Sequence, residues 1–259
     1  MRIFTLSELS AASDKSVQVL SSMLHRWQRQ GIAMQIRRNL YCMVDPVSGQ
    51  PTVNKFEIGS RLSDSSYISH HTALEFHGIA HQPFNEVMVT SSTRITPFSF
   101  DDIDYHFYQD KIGGQGVITP KGSPLVKVTD LERTLVDCID RIDRSGGIEE
   151  LLHCMESITL LDENKLLIYL NSYAKSFLYQ KTGYLMERIK DRARLSNDFI
   201  ETCRTMGKNH VKSLTNSYES DTFISEWQLY VPQNTIERQT CFYNLSHVSF
   251  AAFMATSIL

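Results

Sequence analysis

The spacing of apolar side chains over the first 46 residues predicts two helices followed by a hairpin. Apolar residues recur every three or four positions over residues 5–12 and 13–30, which is the period of one helix face. Residues 32–44 then predict two short strands with a polar turn between them. The predicted order is therefore helix, turn, helix and hairpin.

Side-chain chemistry indicates where these helices begin and end. Thr5, with Glu8 three residues later, matches a capping box, in which each side chain bonds the other residue's backbone N–H. Ser13 is a candidate cap of the second helix. Gly31 follows that helix, as a glycine does when it supplies left-handed backbone at a helix end. Two helix starts and one helix end are thus predicted locally.

The remaining chain predicts a larger, mainly helical body with a few strands. Two prolines and a glycine within residues 45–54 indicate a linker. The expected elements are a helix at 67–76, strands at 86–90 and 103–108, helices at 130–142, 147–158, 162–175 and 183–206, and a strand at 227–231. We therefore expect an α+β protein, with a winged helix-turn-helix domain at 1–46, a linker at 47–54, a mixed α/β effector domain at 55–232 and a tail at 233–259.

The second helix has an apolar and a polar face. At about 100° per residue, Val17, Leu20, Leu24 and Trp27 fall within one sector, which we expect to pack on the first helix and the hairpin. The other side offers donors, acceptors and positive charge, as a recognition helix needs for phosphates and base edges. The candidate DNA-binding residues are Lys15, Ser16, Gln18, Ser22, His25, Arg26, Arg29, Arg37 and Arg38.

The hairpin supplies a second candidate contact. Arg37 and Arg38 lie at or beside its tip, where a basic turn can meet phosphates or enter a minor groove. Leu40 and Tyr41 are expected in the hairpin core. The same pattern also fits a small packed domain with surface arginines, because amphipathicity alone does not separate the two.

The distribution of charge indicates a basic module on an acidic body. Residues 1–46 hold six Lys or Arg against three acids, a net +3, and the other residues net −6 because the whole chain nets −3. This is typical of a DNA-binding protein with an effector domain. Residues 180–213 form a second basic stretch, with eight Lys or Arg against four acids. They give a candidate face for a partner or nucleic acid at Arg188, Arg192 and Lys208.

Four segments of the chain, taken in order, carry a resemblance to a known family. They are IRRNLY at 36–41, YISHHTALEFHG at 67–78, VTDLERTLVD at 128–137 and GYLMER at 183–188. Together they resemble the AbiEi antitoxins of type IV toxin–antitoxin systems, which act in abortive infection and phage defence. Asn39 stands where relatives often have glycine, and asparagine also tolerates a positive φ. The segment after Pro232 has no counterpart in the family.

The resemblance implies a transcriptional autoregulator whose winged module binds double-stranded DNA at repeats in its own promoter. It implies a C-terminal domain that opposes a nucleotidyltransferase-like toxin, without requiring a stable complex with it. We expect no catalytic residue, no metal and no cofactor, and hence no enzyme. The scattered cysteines, and the lack of an evident signal peptide or membrane span, indicate a cytoplasmic protein.

The alternative function is a metal-dependent nuclease with a DNA-targeting winged helix. Asp101, Asp102 and Asp104 lie at a predicted strand, with Glu132 downstream, and nucleases use such acids with a lysine to hold magnesium. Lys121 has no acid at the required offset. The sequence therefore favours a solvated acidic edge.

Other groups are expected to be structural. Four histidines lie within twelve residues, but Gly78 between His77 and His81 disfavours a metal pair, which leaves a helix start and packing. Cys138 and Cys154 fall within predicted helices and are expected to be buried. Residues 113–116 (GGQG) predict a turn rather than a phosphate loop. Residues 241–259 carry no formal charge, yet polar residues interrupt them and they are short for a membrane span.

Overall fold

The computed structural model describes residues 1–207, 211–215, 221–233 and 235, in two compact units. The first unit comprises Met1–Phe76 and Pro83–Asp130, and the second comprises His77–Gln82 and the chain from Leu131 onward. Helices and sheets occur together, so the protein is α+β, as the sequence predicts. None of the helices in the described ranges is both long and apolar enough to cross a membrane.

The first unit begins with a small sheet and two helices. Its elements in order are β1 (Ile3–Phe4), α1 (Leu6–Ala11), α2 (Val17–Arg29), β2 (Ala33–Arg37) and β3 (Leu40–Met43). The strands form an antiparallel sheet in the order β1-β3-β2. The two predicted helices and the hairpin are confirmed. The additional strand β1 is too short to show a period in the sequence.

The helix ends follow side-chain chemistry with one exception. Thr5 accepts a hydrogen bond from the Glu8 N–H, and Glu8 accepts one from the Thr5 N–H, which confirms the capping box. Ser13 does not cap α2, because the N-cap position is Ser16, whose side chain makes no capping hydrogen bond. Gly31 has a φ of 67° just past the end of α2, as predicted.

Asn39 ties the hairpin turn to α1. Its φ is 64°, in the left-handed region that asparagine tolerates, as the sequence predicts. Its side-chain oxygen also accepts a hydrogen bond from the Leu6 N–H at 3.2 Å. Leu6 is the first residue of α1, so the turn satisfies one of the donors that a helix start leaves unpaired.

The segment expected to be a linker forms a compact turn. The Asp45 carboxylate accepts hydrogen bonds from the backbone N–H groups of Val47 and Ser48, at 3.1 and 2.7 Å. These bonds hold the pKa of Asp45 below its usual value, and the bond from the Ser48 N–H has the largest effect. Val44 pairs with Pro51 across the turn as an isolated β-bridge.

The hydrophobic core of the first unit extends across this turn. Ile36 lies in the same buried cluster as Ile58 and Val128. Arg2 also pairs with Glu57, with 2.5 Å between the guanidinium and the carboxylate. Residues 47–54 therefore do not separate two cores, because the N-terminal segment buries apolar side chains against residues that follow it.

A mixed six-stranded sheet forms the rest of the first unit. Its elements are α3 (Lys55–Ser60), β4 (Tyr67–Ile68), α4 (His70–Phe76), β5 (Glu86–Ser91), β6 (Phe98–Phe100), β7 (Ile103–Gln109), β8 (Val117–Ile118) and β9 (Val128–Thr129). The strand order is β6-β7-β5-β4-β9-β8, with parallel pairs β5–β7 and β4–β9. Gly59 lets α3 lie close to this sheet, because a Cβ there would lie 2.6 Å from the Ile68 side chain.

The predicted helix at 67–76 is wrong at its first residues. Tyr67 and Ile68 belong to strand β4, and the helix begins only at His70. His70 has a φ of 52°, which turns the chain between strand and helix. The predicted strands at 86–90 and 103–108 are confirmed by β5 and β7.

The second unit is mainly helical. Its elements in the described ranges are α5 (Leu131–Asp140), a 3-10 helix (Ile142–Ser145), α6 (Ile148–Glu156), α7 (Glu163–Tyr173), α8 (Ser176–Glu187), α9 (Lys190–Ala193), α10 (Asn197–Gly207), β10 (Lys212–Ser213), β11 (Asp221–Ile224) and β12 (Leu229–Pro232). The last three strands form a sheet in the order β10-β12-β11. Helices α5, α6 and α7 confirm three of the predicted helices.

The predicted single helix at 183–206 is wrong, because three helices cover this region. Arg194 has a φ of 59° and ends α9, and the Ser196 hydroxyl then accepts a hydrogen bond from the Phe199 N–H at the start of α10. Trp227 lies in a turn, so the final strand begins two residues later than predicted. Its indole is buried against Gly183 of α8, where a Cβ would lie 2.2 Å from the ring.

A buried ion pair within α5 also accepts a hydrogen bond from α7. Arg133 donates from Nε to an Asp137 carboxylate oxygen at 2.6 Å, and the Tyr173 hydroxyl donates to the same oxygen at 2.6 Å. Burial raises the pKa of Asp137, while Arg133 and Tyr173 oppose that rise. Such an arrangement is costly to break, because removing one partner leaves a buried charge unpaired.

Candidate nucleic-acid interface

Helix α2 has its buried side set by two leucines. Leu20 and Leu24 are the buried residues of this helix, and α2 packs against α1 and β2. At about 100° per residue, the opposite side carries four residues at positions i, i+4, i+7 and i+11. All four are exposed. We call them the outward row: Gln18, Ser22, His25 and Arg29.

The other predicted contact residues lie around this row. Lys15 and Ser16 are exposed and precede α2, and Arg26 is exposed on one flank of the outward row. The Ser22 hydroxyl donates to the Gln18 carbonyl at 3.1 Å, which leaves the hydroxyl oxygen as an acceptor. The structure therefore brings donors, acceptors and cations together on one helix surface.

Positive charge on this surface is not neutralised within the described part of the chain. Four exposed cations make no side-chain hydrogen bond or ion pair with any described residue: Lys15, Arg26, Arg29 and Arg38. Arg2 and Arg61, which lie outside this surface in the same unit, pair with Glu57 and Glu8. Asp14 is the only acidic residue between positions 9 and 44 of the sequence. Unpaired cations with few acids nearby attract phosphate groups.

The two arginines of the hairpin differ in their surroundings. Arg38 is exposed at the turn. Arg37 is half-buried, and its guanidinium lies 5.4 Å from the centroid of the Phe98 ring. The sequence places both arginines at the tip, whereas the structure leaves only Arg38 open to solvent, because Arg37 packs against β6.

Sequence reasoning misplaced the apolar side of α2 at both of its ends. Val17 was expected to be buried, but it is the first residue of the helix and is 49 % exposed. Trp27 is half-buried rather than buried. Val19, on the flank of the outward row, is 48 % exposed. Helical period alone carries no signal for how far a neighbouring element covers each end.

Comparisons with known proteins bear on the fold. A scan against protein families and a search of curated proteins both found no match. Among solved structures, the chain is similar to the crystal structure of the RV2827C protein from Mycobacterium tuberculosis, with a TM-score of 0.63 and 12 % identity. The match covers 89 % of this chain and 86 % of that chain. At this identity the likeness shows a shared α+β fold over most of both chains.

The second candidate face is not assembled by the described residues. Arg188 donates to the Thr235 carbonyl at 2.9 Å, so its guanidinium is used within the unit. Arg192 is exposed on α9. Lys208 lies outside the described residues. Arg192 is thus the member of this set that the structure leaves available to a partner.

The histidines have the packing role that the sequence favours. His70 and His71 are buried, and the His71 ring stacks on Phe84 with 4.0 Å between centroids. In the second unit, the His81 ring stacks on His153 at 4.6 Å. Within the described ranges, no group of three His, Cys, Asp or Glu side chains is placed to hold a metal ion.

The acidic residues considered for a nuclease serve local structure. Asp101 and Asp102 have φ values of 53° and 57° in the turn between β6 and β7, and Asp104 accepts a hydrogen bond from Ser99. In the second unit, Glu132 accepts a hydrogen bond from the Asp162 N–H at 3.0 Å, at the start of α7.

Two further structural expectations are confirmed. Cys138 and Cys154 are buried within helices, and burial raises the pKa of the Cys154 thiol to about 12 and that of Cys138 well above its usual value. Residues 113–116 form a turn, in which Gly113, Gly114 and Gly116 all have positive φ. Both features are structural rather than reactive.

Proposed function

We propose that this protein is a DNA-binding transcriptional autoregulator and the antitoxin of a type IV toxin–antitoxin system. In this proposal, residues 1–46 act as a winged helix-turn-helix module on double-stranded DNA. The second unit opposes a nucleotidyltransferase-like toxin. The protein has no enzymatic activity of its own.

The observation that carries the DNA-binding half is the exposed surface of α2. A major groove about 12 Å wide admits a helix, and the outward row would then face base edges. Arg26 and Arg29, which are unpaired among the described residues, would contact phosphates. Arg38 at the hairpin turn would contact the adjacent backbone or minor groove. A helix that served only to pack would not need this concentration of unpaired cations.

The antitoxin half rests on the resemblance to the AbiEi family over residues 1–232. The second unit is the part of the chain left for that role once the N-terminal module is assigned to DNA. In such systems the antitoxin need not form a stable complex with the toxin, so its effect on the cell is the appropriate readout. Of the three basic residues proposed for this face, Arg192 is the one that is exposed among the described residues.

DNA binding is tested by fluorescence anisotropy of the full chain on its own promoter across a salt series. We expect Arg26→Ala and Arg29→Ala each to weaken binding and to reduce the slope of log K against log salt by about one. Arg94→Ala is the matched control, because Arg94 is an exposed arginine of the same unit that lies outside residues 1–46. Unchanged affinity and slope in both α2 variants would remove α2 as the contact helix.

The two halves are separated by point variants in cells. A cut at residue 53 would remove part of the core of the first unit, so truncation is unsuitable. We expect the Arg26→Ala/Arg29→Ala double variant to lose repression of a promoter reporter and still to rescue growth when the toxin is co-expressed. Loss of rescue in this variant, with an unchanged melting temperature, would contradict the division of roles. Failure of the wild-type chain to rescue would remove the antitoxin half alone.

A further inference from the structure

A buried lysine of the second unit has no partner for its charge. Lys181 of α8 is 9 % exposed, and its ammonium makes no hydrogen bond or ion pair with any described residue. Lysine is almost never buried unless it is paired, because a charge removed from water needs compensating hydrogen bonds. The three N–H donors of this ammonium therefore need an acceptor that the described part of the chain does not supply.

The ammonium lies toward the N-terminal end of its own helix. Helical side chains lean toward the helix N-terminus, and the Lys181 Nζ lies 4.8 Å from the centroid of the Phe177 ring, one turn earlier. Helix α8 begins at Ser176, and its N-cap residue, Lys175, makes no side-chain capping hydrogen bond. Among the described residues, nothing accepts from the N–H groups of Ser176 and Phe177 or bonds the Ser176 hydroxyl. Several unpaired donors therefore occur at one helix end.

The carboxylates near this helix end are already paired. Four charged groups act on Lys181, two acidic and two basic: Asp140, Asp143, Lys175 and Arg141. Lys175 donates to Asp140 at 2.5 Å. Arg141 donates to both oxygens of Asp143, at 2.9 and 2.7 Å. These two pairs cancel, so Lys181 is the uncompensated charge of the group.

A helix N-terminus with an added ammonium has the chemistry that binds phosphate. The free N–H groups and the dipole of the helix both favour an anion. Lysine contributes a point charge, and serine contributes a hydroxyl donor. Ser176 and Phe177 are half-buried, so an anion can approach the first turn from solvent. Phosphate has enough oxygens to accept from all of these donors at once, whereas a carboxylate has two.

We propose that the first turn of α8 and Lys181 bind a phosphate group, either as the free ion or as part of a nucleotide. The Lys181 ammonium, the Ser176 hydroxyl and the N–H groups of Ser176 and Phe177 donate to its oxygens. Burial lowers the pKa of Lys181 to about 8, so the ammonium is still protonated at pH 7. The inference concerns the second unit and does not depend on DNA binding.

Isothermal titration calorimetry of the full chain at pH 7, in a phosphate-free buffer of constant ionic strength, tests the site. The titrants are inorganic phosphate and adenosine 5′-monophosphate. The wild type should bind at least one of them saturably, and Lys181→Met should bind it about tenfold or more weakly, because a charge-assisted hydrogen bond is lost. Lys212→Met is the matched control, because Lys212 is an exposed lysine of β10 in the same unit, and it should bind as the wild type does.

A second variant removes donors from the helix end and keeps the lysine. Ser176→Pro lacks both the hydroxyl and the N–H, yet proline is favoured at the first position of a helix. The preceding residue, Lys175, is already extended, with φ −119° and ψ 109°, as a residue before proline needs to be. We expect Ser176→Pro to keep the wild-type melting temperature and to bind about fivefold or more weakly.

The outcomes separate the site from its natural ligand. No binding of either titrant to the wild type, or equal binding by the wild type and Lys181→Met, would overturn the proposal. With a Lys181-dependent site, tighter binding of the nucleotide identifies a nucleotide as the source of the phosphate, and tighter binding of inorganic phosphate identifies the free ion.

Discussion

The guanidinium of Arg37 lies over the ring of Phe98, 5.4 Å from its centroid, and so fastens the hairpin to strand β6. One of its terminal nitrogens is buried and has no hydrogen-bond partner among the described atoms. The next residue, Arg38, is exposed. Two adjacent arginines of the same turn therefore have different surroundings, since Arg37 packs against β6 and Arg38 is open to solvent.

The two arginines should give opposite results on substitution. Arg37→Ala should lower the melting temperature, since a cation–π contact of this kind contributes about 0.5–2 kcal/mol and its methylenes pack as well. Arg38→Ala should leave melting unchanged, weaken DNA binding and reduce the salt slope by about one. Thermal melting and anisotropy on each variant decide the matter. A lower melting temperature for Arg38→Ala, with an unchanged melting temperature for Arg37→Ala, would reverse the assignment.

The Asn39 turn predicts an order of stabilities. Asn39→Gly keeps the left-handed backbone but loses the hydrogen bond to Leu6, at a cost of about 0.5–1.5 kcal/mol. Asn39→Ala loses the same bond and adds about 1–2 kcal/mol of left-handed strain. The urea midpoint should therefore be highest for the wild type, lower for Asn39→Gly and lowest for Asn39→Ala. Equal midpoints for the glycine and alanine variants would show that the turn is not strained.

Local chemistry accounts for what the sequence predicts well. The capping box of Thr5 and Glu8, the glycine after α2 and the positive φ of Asn39 each depend on residues a few positions apart. Such features can be inferred from spacing, because the interacting groups are neighbours in the chain.

The features that the sequence could not predict depend on residues far apart in the chain, or on helix ends that no characteristic residue marks. Arg37 packs against Phe98, and the spacing of neighbouring residues does not predict a contact between residues so far apart in the chain. Val17 is apolar and in phase with Leu20, yet it is 49 % exposed, and the helical period gives no signal for that difference. Helix α9 ends at Arg194, which adopts left-handed backbone although it is not a glycine. The apolar spacing of the sequence continues across this helix end, so the spacing predicts one long helix.

The contact of Gly183 with Trp227 predicts a sharp steric effect. Gly183→Ala would bring a Cβ to 2.2 Å from the indole, so the ring must move, at a cost of about 1–3 kcal/mol. Trp27 and Trp227 are the two tryptophans of the sequence, so a Trp27→Phe background reports Trp227 fluorescence alone. We expect a red-shifted emission and a lower melting temperature. Gly122→Ala, which meets no atom within 4 Å, is the control and should change neither.

Lys181 predicts a pH dependence of stability. Burial in α8 lowers its pKa to about 8 from the usual 10.5, and its ammonium lies 4.8 Å from the Phe177 ring centroid. Between these two values the unfolded chain binds more protons than the folded protein. Stability contributed by this group therefore rises with pH across that window.

Lys181→Met isolates that contribution, because methionine is of similar length and uncharged. The variant should be more stable than the wild type below about pH 8, and the difference should shrink as the pH approaches 10.5. Urea midpoints of both proteins across this range measure it. Parallel curves would mean that Lys181 titrates alike in the folded and unfolded chains.

The shared core of the first unit bears on how the chain folds during synthesis. Residues 1–46 are synthesised before Val126 and Val128, which share the buried cluster of Ile36 and follow about eighty residues later. At about 5–20 residues per second, residues 1–46 wait on the order of ten seconds for their core to be completed. An N-terminal module so built cannot act as an early, independently folding domain, and nascent chains released before residue 130 would expose its apolar side to chaperones and proteases.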